Sequence, residues 1–233
     1  MRQMPVTPYH AITRLPILMS WSGGKDSCMA LHQLTRVSKY DVAALLTTIT
    51  EDYDRISMHG IRRVLLERQA ASLGLQLHKV FIPKTATNEQ YEMKMAHALL
   101  TYRQQGIDTI GFGDLFLEDV RAYREEFLTR FQMKGMFPVW HRNTTEFIKD
   151  FINLGFKAVI TCVNAELLDE SYAGRFIDSD FVTSLPPAVD PCGENGEFHT
   201  FVFDGPLFSD PVPFRLGETV LRESFWFRDL IAE

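Results

Sequence analysis

The segment Ser22-Gly23-Gly24-Lys25-Asp26-Ser27 constrains this chain more than any other. The apolar run Ile17-Leu18-Met19 precedes it and reads as a buried strand. An apolar stripe of Ala30, Leu31, Leu34 and Val37 follows, so a helix starts at about Lys25. Two glycines between strand and helix permit positive φ and let a ligand approach the backbone. The unpaired N–H groups and positive dipole end of a helix start favour an anion. Ser22 and Ser27 add hydroxyls, and Lys25 adds a positive charge. The segment has the chemistry of a phosphate cradle.

Other cradles are excluded by spacing. A Walker A loop needs Ser or Thr after Gly-Lys, whereas Asp26 follows Lys25 here. The dinucleotide fingerprint fails because Gly111-Phe112-Gly113 runs on to Phe116 rather than to Gly. The hydrolase elbow fails because Ser20 stands where its first Gly belongs.

The strand–helix rhythm continues downstream. Strands are expected at Val42–Ile49, Leu75–Ile82 and Asp108–Phe112. Helices are expected from about Gly60 to Leu73, along the stripe Tyr91, Met95, Ala98, Leu99 and Tyr102, and from Val120 to Phe131. This predicts an α/β fold with a parallel sheet covered by helices, binding its ligand beyond the carboxyl ends of the strands. The rhythm breaks near Gly135-Met136-Phe137-Pro138. Two portions are therefore expected: residues 1–134 as the ligand-binding domain and 135–233 as a smaller α+β portion. In the latter, a helix around Phe147 to Leu154 and strands at Ala158–Val163, Phe198–Phe203 and Ser224–Phe227 are anticipated.

A net charge of −6 does not supply the broad basic face that nucleic acid requires, so no nucleic-acid partner is expected. Three separated cysteines, Cys28, Cys162 and Cys192, form no metal or disulfide framework and fit a reducing cytoplasm. Met1 to Ser20 is interrupted by Pro5, Pro8 and Pro16 and does not read as a signal peptide. No apolar run reaches membrane-spanning length, so no membrane partner is expected. A homo-oligomer is left open.

The loop resembles the PP-loop signature of ATP pyrophosphatases, which cleave ATP between the α- and β-phosphates. The alternation resembles their adenine-nucleotide α-hydrolase-like (HUP, Rossmann-like) fold. Three further segments, Ser57-Met58-His59-Gly60, Gly113 to Asp119 and Asp190 to Phe201 running on into Asp204-Gly205-Pro206, resemble the short form of the diphthine–ammonia ligase family. The resemblance implies ATP and Mg²⁺ as cofactors. It also implies adenylation of a carboxylate with release of pyrophosphate, followed by amidation with ammonium. In that family the acceptor is diphthine on elongation factor 2, which applies only where the organism makes diphthamide.

Candidate residues follow. Ser22, Gly23, Gly24, Lys25, Asp26 and Ser27 form the nucleotide cradle, joined by His59 and Gly113 at neighbouring strand ends. Lys25 neutralises charge on the leaving pyrophosphate. Asp26 either helps hold Mg²⁺ or caps the helix. Asp114 is a further catalytic candidate; Asp119 and Arg121 are substrate-binding candidates beside Arg124. A solvated face, paired with Glu125 or Glu126, is the alternative for both arginines and is favoured for Arg124. Glu194 and Glu197 flank the turn signal Asn195-Gly196 and are expected to steer ammonium and accept its proton, with His199 beside them. Cys192 reads as a buried structural cysteine rather than a nucleophile. Two alternatives stay open: a PP-loop ATPase acting on another small molecule or on tRNA, and a non-catalytic nucleotide-binding protein.

Overall fold

The computed structural model describes residues 14–37, 39–56 and 59–233. The leader reading of the first residues up to position 13, and Ser57-Met58 of the second matched segment, lie outside the described residues.

The first sheet is built from β1 (Leu15–Ser20), β2 (Tyr40–Thr50), β3 (Arg55–Ile56), β4 (Leu77–Ile82), β5 (Thr109–Gly111) and β6 (Lys134–Met136). Its helices are α1 (Lys25–Arg36), α2 (Arg63–Ser72), α3 (Asn88–Gln104) and α4 (Glu118–Thr129). Strands β4, β2, β1, β5 and β6 pair in that order, all in parallel; only the two-residue β3 runs antiparallel, beside β2.

The central strand β1 shows why the apolar run is continuous. Ile17 and Met19 join a core with α1 and α2, whereas Leu18 joins the opposite core with Ala98 and Leu99 of α3 and Phe127 and Leu128 of α4. A strand covered on both faces has no position for a polar side chain. α3 begins at a capping box: the Thr87 hydroxyl accepts from Gln90 N–H, and the Gln90 side chain accepts from Thr87 N–H.

The second half contains α5 (Thr144–Asn153), β7 (Lys157–Asn164), α6 (Ser179–Ser184), β8 (Phe198–Asp204), β9 (Phe214–Arg222) and β10 (Phe225–Ala232). Strands β8, β7, β10 and β9 form an antiparallel sheet. Its core residues Phe147, Phe151, Phe198 and Phe201 belong to the same cluster as Leu31, Leu34, Leu65 and Leu66 of α1 and α2. One face of the parallel sheet and the antiparallel sheet therefore share a core.

Two strands, β6 and β9, fall outside the expectations. The segment read as a break at Gly135 carries β6, whose residues Lys134 to Met136 pair with Thr109 to Gly111. The first sheet thus runs past residue 134. β9 was not anticipated. Its hairpin to β10 turns at Glu223-Ser224, with Glu223 at φ +53°, without the glycine or asparagine that would have announced it. Asn195-Gly196 does form a turn, with Gly196 at φ +87°, but it lies in the loop ahead of β8 and not between paired strands. Among the described residues no helix is long and apolar enough to cross a membrane.

An ion-pair cluster ties the two sheets together. Asp229 on β10 accepts from Arg62 Nε (3.0 Å) and Nη2 (2.7 Å) and from Arg55 Nη2 (2.9 Å). These arginines stand at the two ends of the loop that carries His59. Arg62, with Arg55 beside it, pulls the Asp229 carboxyl down to about 2. The depressed carboxylate contributes stability that is complete above the unfolded pKa of about 3.9 and is lost as pH falls through about 2. Allowing for solvent screening, Asp229→Asn is expected to cost about 1–2 kcal/mol at neutral pH. Urea unfolding of both proteins checks this: the gap should narrow as pH drops through that window.

Candidate functional site

The strand order places the site. From β1 the chain proceeds to β2 and β4 on one side; β5 and β6 lie on the other. Where an open parallel sheet reverses its order, the loops leaving the two central strands part and open a crevice. Here those loops follow β1 and β5, and the segment from Gly193 to Thr200 closes the crevice from the second half. The resulting cleft has a volume of about 460 Å³.

Gly23 adopts φ +75°. That φ favours glycine, and a Cβ there, 2.7 Å from Leu66 Cδ2 and 2.9 Å from Gln69 Oε1, would have to displace those side chains. Gly24 N–H donates to Ser22 Oγ (3.2 Å), and Ser27 Oγ–H donates to Gly24 C=O (2.9 Å). The two serine hydroxyls are 3.2 Å apart. Gly113 in the loop after β5 lies directly against the start of α1. A Cβ on it would stand 2.7 Å from the Asp26 carbonyl carbon and 2.8 Å from Ser27 N.

Charge is concentrated and buried. Lys25, only 2% exposed, donates from Nζ to Asp26 Oδ2 at 2.9 Å. Burial opposes the lysine charge, but Asp26, and beyond it Cys192 and Glu194, outweigh burial and hold its pKa above the ordinary value. Burial pushes the Asp26 carboxyl up, against the pull of Lys25. Asp26 Oδ1 is buried without a hydrogen-bond partner. Glu194 accepts from Leu115 N–H at 2.9 Å, which joins the second half to the loop after β5. Burial, and then the neighbouring Asp26, raise Glu194 to about 7. Its proton is therefore exchangeable near neutral pH, the condition for general acid–base work.

Histidine rings line another wall. The His59 and His199 rings lie side by side, tilted by 33° with centroids 4.5 Å apart. Burial and then Lys25 lower His199 to about 4; burial and then His199 lower His59 well below its usual value. Both rings are neutral at physiological pH.

Ser22, Lys25, Asp26, Ser27, His59 and Gly113 all line the cleft, and Asp114, Glu194 and His199 join them. Gly23 and Gly24 shape the turn behind. Three candidates fall elsewhere. Glu197 is 2% exposed and accepts from Asp190 N–H, Asn195 N–H and the Asn195 amide. It organises its own loop and does not line the cleft. Asp119 is exposed in the first turn of α4, where a carboxylate suits the helix dipole. Arg121 pairs with Glu125 at 2.9 Å, its guanidinium over the rings of Phe137 and Trp140.

Arg124 takes the place expected for Arg121. It lines the cleft, lies over the Phe112 ring, and pairs with Asp114 at 2.8 Å. The signal was a choice between two arginines three positions apart on one helix, which periodicity alone did not resolve. Thr200 and Gln69 were also missed. Lys25 N–H donates to Thr200 Oγ1 (3.0 Å), and the Gln69 amide donates to Gly23 C=O (3.0 Å) and Val202 C=O (2.6 Å). Cys192 is buried, its Sγ–H donating to Thr144 C=O at 3.1 Å, and burial raises its pKa well above the ordinary thiol range. Such a thiol is not a ready nucleophile.

Two family models match the chain: the diphthamide synthase N-terminal domain over residues 16–135 and the diphthamide synthase C-terminal domain over residues 143–230. A diphthine--ammonia ligase of Danio rerio is 23% identical over 86% of this chain and 86% of its own length. One of Homo sapiens is 24% identical over 87% of this chain and 84% of its own. Among solved structures, a U34-tRNA thiolase of Methanococcus maripaludis superposes with a TM-score of 0.37 at 15% identity, covering 62% of this chain and 59% of that one.

The closeness of Gly113 to the backbone of α1 supplies a test. A methyl group there meets main-chain atoms that cannot rotate away. Gly113→Ala is expected to cost about 1–3 kcal/mol and to weaken anion binding at the helix start. Thermal unfolding together with titration of pyrophosphate reads both effects; an unchanged melting temperature and affinity would remove Gly113 from the site.

Proposed function

The chain belongs to the diphthamide synthase family, and from that premise we propose that it is an ATP-dependent ligase that amidates a carboxylate. The observation that carries this reading is the meeting of a phosphate cradle and a base of pKa about 7 in one cleft: Lys25 at the start of α1, and Glu194 from the second half. ATP supplies an adenylyl group to the carboxylate, and pyrophosphate leaves.

The chain's own residues have separable tasks. The start of α1 and the Lys25 ammonium hold the phosphates and stabilise charge as it moves onto the leaving group. A hard cation takes oxygen ligands, and the unpartnered Asp26 Oδ1 is such a donor. Among the described residues no group of three His, Cys, Asp or Glu side chains is arranged for a metal. Asp26 would therefore hold Mg²⁺ together with phosphate oxygens, where the ion would neutralise their charge. Arg124, braced by Asp114 and the Phe112 ring, offers a planar cation to the incoming carboxylate. Glu194 in its deprotonated form accepts a proton from ammonium, because only neutral ammonia has a free electron pair for attack.

The relatives are called diphthine--ammonia ligase, which makes diphthine, carried on elongation factor 2, the first acceptor to offer. The products test the chemistry. With ATP, ammonium and the acceptor, AMP and pyrophosphate are expected; ADP and phosphate would overturn the reading.

The pH profile tests Glu194. With its pKa raised to about 7, the base is disabled below that pH, so the rate should climb through about 7 and then level. Glu194→Gln is expected to remove that step and lower kcat by about 10²–10⁴-fold. Steady-state rates across pH with saturating ATP decide it. A step of the same midpoint in the glutamine variant would assign the titration to another group.

A further inference from the structure

The helix that receives the phosphates lacks a cap of its own. Gly24 at its N-cap carries no side-chain acceptor. Unpaired amides at a buried helix start must find partners elsewhere. The Lys25 amide finds one on the second sheet: the hydroxyl of Thr200, 2% exposed and 175 positions away in the chain, accepts it at 3.0 Å. Two bonds extend this contact. Val202 N–H donates to Gly23 C=O at 2.9 Å. Gln69 bridges Gly23 C=O and Val202 C=O while its own Oε1 accepts from Trp21 Nε1–H at 2.7 Å. β8 is the edge strand of its sheet, with β7 on its other side, so the turn lies along its free edge.

We infer that Thr200 is a positioning residue for phosphate binding: the second sheet supplies the cap that α1 lacks, fixing the loop amides before any phosphate arrives. The identity of the ligand rests on the proposed function; the cap itself does not. The Asp190 to Phe201 segment thereby has a task at each end. Glu194 brings a titratable carboxylate to the cleft, and Thr200 holds the cradle opposite it. What the cap requires is an oxygen acceptor. Serine retains it, whereas valine keeps the shape of threonine and leaves the Lys25 amide buried without a partner.

The test uses the full chain as wild type, Thr200→Val and Thr200→Ser. Amide hydrogen exchange is followed in peptides covering the loop and the first turn of α1. Affinities for ATP and inorganic pyrophosphate are measured by calorimetry, with adenosine as the control that lacks phosphate. Thr200→Val is expected to exchange faster in those peptides alone and to bind pyrophosphate and ATP at least about ten-fold more weakly, with adenosine affinity unchanged. Thr200→Ser should restore both. Equal loop exchange in wild type and the valine variant would overturn the inference. So would a valine variant that is globally less stable but binds pyrophosphate as wild type does, or a serine variant as impaired as valine. If wild type itself binds neither ATP nor pyrophosphate, the proposed function fails, while the exchange measurement still decides whether Thr200 caps the loop.

Discussion

The turn at Gly23 against the edge of β8 is the contact on which the rest of the site depends. Gly23 C=O is held by Val202 N–H and by the buried amide of Gln69. A carbonyl removed from water needs such partners, and here they come from an element in the other half of the chain. Phosphate loops are commonly described as a strand, a turn and a helix. In this protein that unit is incomplete until the antiparallel sheet lies beside it. The shared apolar core explains how the contact is maintained: Phe201 on β8 and Leu31 and Leu34 on α1 belong to one cluster. Burial of that area supplies the non-directional attraction, and the hydrogen bonds set the register.

The same closure creates the electrostatics. Lys25 is deeply buried and would be costly as a lone charge. Asp26 pairs with it directly, and Glu194 adds a second, more distant attraction. Burial, and then the neighbouring Asp26, make Glu194 harder to ionise, which is why its pKa is raised to about 7 from the ordinary glutamate range. Asp114, paired with Arg124 on the far wall, is another charge of this group. The cleft thus brings the Lys25 and Arg124 cations together with a carboxyl whose pKa is raised to about 7.

How much was readable differs by residue type. The strand Ile17–Met19, the loop and α1 were legible because burial on both faces forces an unbroken apolar run and because glycine at Gly23 has few other uses. β6 was not, since a three-residue edge strand containing glycine leaves no periodic trace. β9 was not, because its turn lacks glycine. Glu194 and Glu197 sit three positions apart in one acidic segment, and composition does not say which faces the cleft. The backbone of residues 190–195 turns Glu197 inward onto its own amides and leaves Glu194 at the cleft. For Arg121 and Arg124 the outcome was decided by aromatic neighbours: Phe137 and Trp140 hold the first, Phe112 the second.

By itself, then, the sequence determined a buried strand, a glycine turn and a helix start, and with them a loop of anion-binding geometry at the end of a parallel sheet. These follow from local rules: φ limits, helix-end amides and the period of burial. Only the tertiary structure decided what faces that loop. The cap from Thr200, the bridge from Gln69, the choice of Arg124 and the raised pKa of Glu194 all arise from contacts between segments distant in the chain. Burial and electrostatic coupling are properties of enclosed space, and that space exists only once the second sheet closes against the first.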